Sequence, residues 1–185
     1  MFDRCIVLDS SFQEAPAATT ARIQPASPAD VPFIVDAIVS GARAGHFGCD
    51  CSRPDVLQGL WYQIQAVVSE GTMPLPGPRN GAGGRAFVLQ VDQATAGFAI
   101  LVEDAPGSWD QRVEVFAMAV HPAFRRTGLG RHLLERLVQD CRSARVYARV
   151  AFVSVGMSRL LKSCGFGLGG EAGAGTLTLE YRRPG

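Results

Sequence analysis

The run Val113-Glu-Val-Phe-Ala-Met-Ala-Val120-His-Pro-Ala-Phe-Arg125-Arg-Thr-Gly128-Leu-Gly130-Arg-His-Leu-Leu134 joins an apolar strand to an amphipathic helix. The turn between them holds two arginines and ends in glycines. The first amides of a helix have no intrahelical acceptors, and the helix dipole adds partial positive charge there. An anion, above all a phosphate, suits that position. Gly128 and Gly130 let backbone approach the anion, and Arg125, Arg126 and Arg131 add full charges. Two common phosphate cradles do not fit. A P-loop needs Gly-Lys-Ser/Thr, and a dinucleotide fingerprint needs a third glycine where this chain has Leu133.

Working outward, Val31, Ile34, Ile38 and Ala42 recur on one helical face, after a capping box at Ser27-Pro-Ala-Asp30. A second helix is predicted from Ser52-Arg-Pro-Asp55, which repeats the device, to Gly71, with Leu57, Leu60, Trp61, Ile64 and Val68 as its stripe. Thr72 to Gly84 reads as a loop. Arg85–Asp92 and Gly97–Glu103 read as an antiparallel hairpin. Downstream come the strand 113–120, a helix from about Gly128, a strand 146–153, a short helix ending at Gly165 and a strand 176–181. With Arg22 to Pro25 as a short first strand, the order is β-α-α-β-β-β-α-β-α-β. That predicts one α/β domain of the α+β type over 21–185, with a mixed, mostly antiparallel sheet flanked by helices. Residues 1–20 are expected to be an extension.

Composition narrows the classes. A net charge of +1 gives no field that favours nucleic acid or an anionic membrane. No apolar run approaches the roughly 20 residues needed to span a bilayer, and Cys5 to Leu8 is too short for a signal-peptide core. A cytoplasmic location is the expectation. The five cysteines are odd in number and lack the spacing of a disulfide framework. His46-Phe-Gly-Cys49-Asp-Cys51 is the one local cluster of metal-type ligands, with no second pair to complete a zinc site. No metal is expected; the cluster reads as a loop with two free thiols, and a metal-binding module is the competing view.

Arg125-x-x-Gly128-x-Gly130, preceded by Val120-His-Pro and followed by Arg-His-Leu-Leu, resembles the coenzyme A pyrophosphate motif of the GNAT superfamily of N-acetyltransferases. Ser158-Arg-Leu-Leu-Lys-Ser-Cys-Gly165-Phe166 is similar to the family's closing helix and Gly-Phe pair. The resemblance covers about residues 21–183. It implies that strands 113–120 and 146–153 splay apart and that the pantetheine arm of acetyl-CoA lies in the gap. Backbone groups of Met118, Ala119 and Val120 would then hold the arm. Amides of Arg126, Gly128, Leu129, Gly130 and Arg131, with Arg125 and Thr127 beside them, would hold the pyrophosphate. The amide near Met118 would stabilise the tetrahedral oxyanion.

By the same resemblance Glu114, fourteen residues before Gly128, stands where some members carry the base that takes the proton of the attacking amine. Strict alternation puts Glu114 on one face with Phe116, Met118 and Val120, and an apolar face would make its carboxylate a better proton acceptor. The plainer view is a solvated residue at a strand end. Two positions depart from the family pattern. Leu161 replaces a tyrosine that can protonate the departing thiolate, leaving Ser158, Tyr147 or solvent for that task. Ser154 replaces an asparagine that binds pantetheine. His121 reads as structural, and Trp61 and Trp109 as packing residues. His46, Phe47 and Asp50 follow the first helix, where the family often builds its acceptor site. The acceptor pocket is expected from the first two helices, the Thr72–Gly84 loop and the tail. The function implied is acetyl transfer from acetyl-CoA to a primary amine of a small molecule or peptide, in a protein that by analogy forms a homodimer. A catalytically silent acyl-CoA-binding regulatory domain is the alternative.

Overall fold

A computed structural model describes residues 20–75, 81–104, 111–141, 144–169 and 175–183. The extension, apart from Thr20, and Cys5 and Trp109 lie outside the described residues. The strands are β1 (Ala21–Pro25), β2 (Thr72–Met73), β3 (Ala82–Val91), β4 (Ala94–Asp104), β5 (Arg112–Val120), β6 (Arg145–Ala151), β7 (Phe166–Leu168) and β8 (Thr176–Tyr181). The helices are α1 (Val31–Arg43), α2 (Pro54–Ser69), α3 (Leu129–Asp140) and α4 (Val155–Ser163). The predicted order holds, with two short strands added, β2 inside the stretch read as a loop and β7 beginning at the Phe of the Gly165-Phe166 pair.

The sheet runs β1-β3-β4-β5-β6-β8-β7, with β2 alongside β3. Every pairing is antiparallel except β5 with β6. That pair is in register only at Arg112↔Arg145, Val113↔Val146 and Glu114↔Tyr147. Beyond Glu114 the two strands part, which is the expected splay.

Each face of the sheet has its own core. Leu133, Leu134 and Leu137 of α3 pack with Leu161 of α4 onto Ala99, Leu101, Val113, Val115 and Met118. Ile34, Val35 and Ile38 of α1 and Ile64 and Val67 of α2 cover Val88, Phe98, Ile100, Val102 and Ala117. Each such fully buried aliphatic side chain contributes ~1.5–3 kcal/mol relative to exposure.

Local signals met mixed outcomes. Asp30 accepts the Ser27 amide at 2.8 Å as the first capping box requires, although Pro28–Asp30 is a 3-10 turn and α1 proper starts at Val31. The second capping box does not form. Ser52 turns back to Asp50, and Asp55 pairs with Arg53, so α2 begins at Pro54 behind Arg53. The β3–β4 turn is two residues, Asp92 and Gln93, both with positive φ, as the twist of a tight hairpin demands.

Candidate acetyl-transfer site

A β-bulge decides which residues of β5 meet. Ile100 pairs with Ala117 but Leu101 pairs with Val115, so Phe116 is the extra residue. An inserted residue shifts the alternation by one. Met118 therefore faces α3 and α4, whereas Glu114, opposite Val102, faces the α1/α2 side. The single-face reading of Glu114 and Met118 is thus corrected.

Glu114 is neither solvated nor bare on an apolar face. It is 2% exposed. Arg149 grips it with a fork, Nε to Oε1 at 2.7 Å and Nη2 to Oε2 at 3.0 Å. The Tyr147 hydroxyl lies 3.3 Å from Oε2, and the Arg112 guanidinium sits 4.6 Å over the Tyr147 ring. Parallel forked bonds to a carboxylate are the strong form of this contact. Arg149, with 49% of its side chain exposed, carries this cluster to the groove described next, while Glu114 does not line it.

That groove, of about 1080 Å³, passes through the gap between β5 and β6. On one side of the sheet it is walled by the turn Arg125 to Arg131 and by Met157, Leu160 and Leu161. On the other it is walled by Phe33, Asp36 and Ser40 of α1 and by His46 and Phe47. Among the described residues neither α2, the 72–84 stretch nor the tail contributes a wall, and this side of the groove is formed by α1 and the segment after it.

The ladder phase fixes which backbone groups face the gap. The His121 amide donates to Ala96 O at 2.8 Å. Antiparallel alternation then sends the Ala119 and Ala117 amides to β4 and turns those of Met118 and Val120 towards β6, which has left. Ala119, expected with them, spends its backbone groups inside the sheet and offers only its side chain.

At the α3 start, the His132 amide is the first to bond within the helix, to Gly128 O. The amides of Leu129, Gly130 and Arg131 precede that bond and have no intrahelical acceptor. Gly128 has φ +85°, a left-handed conformation that glycine adopts without strain, and a Cβ there would touch nothing within 4 Å. Gly130 is tightly packed: a Cβ would come 3.3 Å from Leu160 Cδ2, which would have to shift slightly, and near Val120 and Met118 on the groove lining. The arginines divide their work. Arg125 Nε donates to Val120 O at 3.0 Å, and Arg131 donates to Ser163 O and Oγ at 3.1 and 2.9 Å. Both brace the cradle while leaving positive charge beside it. Thr127 Oγ1 donates to Phe124 O at 2.6 Å and closes the turn. The His121 ring accepts the Ala123 amide, a structural role as expected.

Sequence reading missed the placement of His46. Gly45 (φ +77°) ends α1 in a Schellman motif. Its amide donates to Ala42 O at 2.9 Å and that of His46 to Gly41 O at 2.8 Å. Gly41 has no side chain, so the Phe47 ring lies directly against α1; a Cβ there would collide with it. The segment so fixed reaches the β6–α4 turn, where His46 Nδ1 lies 2.9 Å from Ser154 Oγ. The sequence signal was Gly45, three residues past the last stripe position Ala42. Ser154 is the N-cap of α4, yet its hydroxyl makes no capping bond. Ser158, one turn on, does not line the groove. Leu161 is buried at 1% exposure. Cys49 and Cys51 are free thiols with sulfurs 3.0 Å apart, and burial together with the Cys51 contact pushes the Cys49 thiol up to about 11.

Comparison with known proteins gives the same picture. The family model described as "Acetyltransferase (GNAT) family" matches residues 59–166. No curated protein sequence matches. An acetyltransferase from Thermus thermophilus superposes with TM-score 0.63 at 19% identity, over 87% of this chain and 96% of that one. The PaiA N-acetyltransferase of Thermoplasma acidophilum, solved with coenzyme A, gives TM-score 0.60 at 16% identity, over 89% and 99%. NAA60 of Arabidopsis thaliana, solved with a bisubstrate analogue, gives 0.61 at 16%, over 88% and 98%. At these identities the likeness is one of fold.

Proposed function

From the premise that the chain belongs to the GNAT acetyltransferase family, we propose that it moves an acetyl group from acetyl-CoA to a primary amine of a small molecule or peptide. The observation that carries this reading is the continuous groove through the sheet. The amides of Leu129, Gly130 and Arg131 open on one side, where a pyrophosphate is favoured by dipole and charge. The outward backbone groups of Met118 and Val120 lie along the gap, where an extended amide-bearing arm finds strand-like partners. A thioester there meets an amine arriving from the α1 side.

The transfer is a direct displacement. The amine nitrogen bonds to the acetyl carbon, the carbonyl oxygen takes up negative charge near the Met118 amide, and the carbon–sulfur bond then breaks with its electrons leaving on sulfur. The net products are an amide, coenzyme A thiol and one proton from the original ammonium. The Vibrio cholerae spermidine N-acetyltransferase shares this fold at only 15% identity, so the fold alone does not name the acceptor here, which local residues set.

The test is a panel of primary amines, including polyamines, amino acids and peptide N-termini, with acetyl-CoA as donor and detection of released thiol. Turnover of at least one amine is expected. Tight acetyl-CoA binding with no turnover across the panel would instead favour a silent acyl-CoA-binding domain.

A further inference from the structure

Resting on that reading, we infer that His46, oriented by Ser154, is the base that takes the proton from the acceptor ammonium. The argument begins with what faces the groove. Glu114 is behind Arg149, and its two carboxylate oxygens are held by a guanidinium fork. Tyr147 points its hydroxyl at Glu114, and Leu161 has no proton to exchange. Among the described residues, the protonatable side chains on the groove wall, other than arginines, are Asp36, His46 and His121. His121 lies at the pyrophosphate end and its Nδ1 is occupied by the Ala123 amide. Asp36, on α1, and His46 both line the groove and are both solvent-exposed. Of the three, His46 is the one brought across the groove to the turn between β6 and α4.

The surroundings of His46 are those of a positioned group. The Schellman bonds fix its backbone, and the Phe47 ring seated on Gly41 anchors the next residue. Gly45 lies close to Val153 in the β6–α4 turn, since a Cβ there would be 3.6 Å from Val153 Cγ2. Ser154 is buried, and its hydroxyl meets His46 instead of capping its own helix. In the tautomer whose Nδ1–H donates to Ser154 Oγ, the lone pair is on Nε2, and it is in this form that His46 acts as a base.

The proton balance is then complete. His46 Nε2 takes one proton from R–NH3+, giving R–NH2. The nitrogen lone pair forms the C–N bond, and the C–S electrons leave with sulfur. The second proton lost by nitrogen as the amide forms goes to the thiolate, and His46 releases the first to water.

The experiment compares wild type with His46→Asn and His46→Ala, using any amine found active and calorimetry for acetyl-CoA affinity. Expected for His46→Asn is a fall in kcat of roughly 10²–10⁴-fold with acetyl-CoA affinity and thermal midpoint unchanged. The acid limb of the wild-type kcat/KM profile should be missing from His46→Asn. Added imidazole should restore part of the rate of His46→Ala. The charged groups that bear on this limb are Asp36 on α1, Asp50 in the same segment and Arg149 on β6; residues 152–156 carry none. If His46→Asn loosens the turn, seen as lost acetyl-CoA binding, His46→Gln gives the same comparison with a longer side chain. Wild-type rate and acid limb in a folded His46 variant, with the limb lost in Asp36→Asn or Glu114→Gln, would overturn this inference alone. A wild type that acetylates no amine would overturn the proposed function with it.

Discussion

Glu114 and Arg149 show how one side chain's role depends on the partner that reaches it. The carboxylate is almost wholly buried, while Arg149 keeps half its side chain in solvent. Removing the two partners should therefore cost different amounts. Arg149→Gln leaves a buried carboxylate without its fork and should cost about 3 kcal/mol, the low end for breaking a buried pair. Glu114→Gln leaves a guanidinium that water can partly serve and should cost roughly 1–2 kcal/mol. Thermal melts should rank Arg149→Gln below Glu114→Gln. The reverse order would mean that Arg149, not Glu114, is the group that needs its partner. The position of Glu114 in its strand is legible locally, but the fork is not, because Arg149 lies on another strand 35 residues on.

At the scale of elements, the Arg125–Gly130 turn was the most legible feature and the bulge in β5 the least. Two glycines before a helix announce a close approach, yet the pair have different jobs. Gly130 leaves room at the groove floor, and Gly128 supplies a left-handed turn. Gly130→Val should place methyl groups against Leu160, Val120 and Met118. Overpacking of ~1–3 kcal/mol, felt in the bound state at about 1.4 kcal/mol per decade, predicts a roughly five- to hundredfold loss of acetyl-CoA affinity, measured by calorimetry. Equal affinity in a folded Gly130→Val would mean the ligand does not approach α3 here. Phe116 carries no mark of a bulge. It is an ordinary strand residue, and only the register against β4 makes it the extra one. That unseen residue reversed the face assigned to Glu114.

At the scale of the molecule, the splay joins two separate faces of the sheet into one site. A ligand threaded through it touches α3, β5 and β6 together and should stabilise the fold as a unit. At a hundred times its dissociation constant a ligand adds about 2.7 kcal/mol. For a domain of this size that is a rise in thermal midpoint of roughly 5–10 °C. Acetyl-CoA should produce it in a melt of the full chain, and Gly130→Val should show much less at the same concentration. No shift in wild type would deny the groove its ligand.

The order and approximate bounds of the elements, and the glycine turn leading into α3, were determined by the sequence itself. They rest on local periods, caps and backbone freedom, all of which act over a few residues: the α3 stripe, the hairpin read over 85–103 and the Arg125–Gly130 turn. Which side chains meet was decided only in the folded sheet. The bulge at Phe116, the Arg149 fork on Glu114 and the contact of His46 with Ser154, 108 residues away, depend on strand register and on where β6 departs from β5. Those are properties of chain segments packed together, and no local pattern in either partner encodes them.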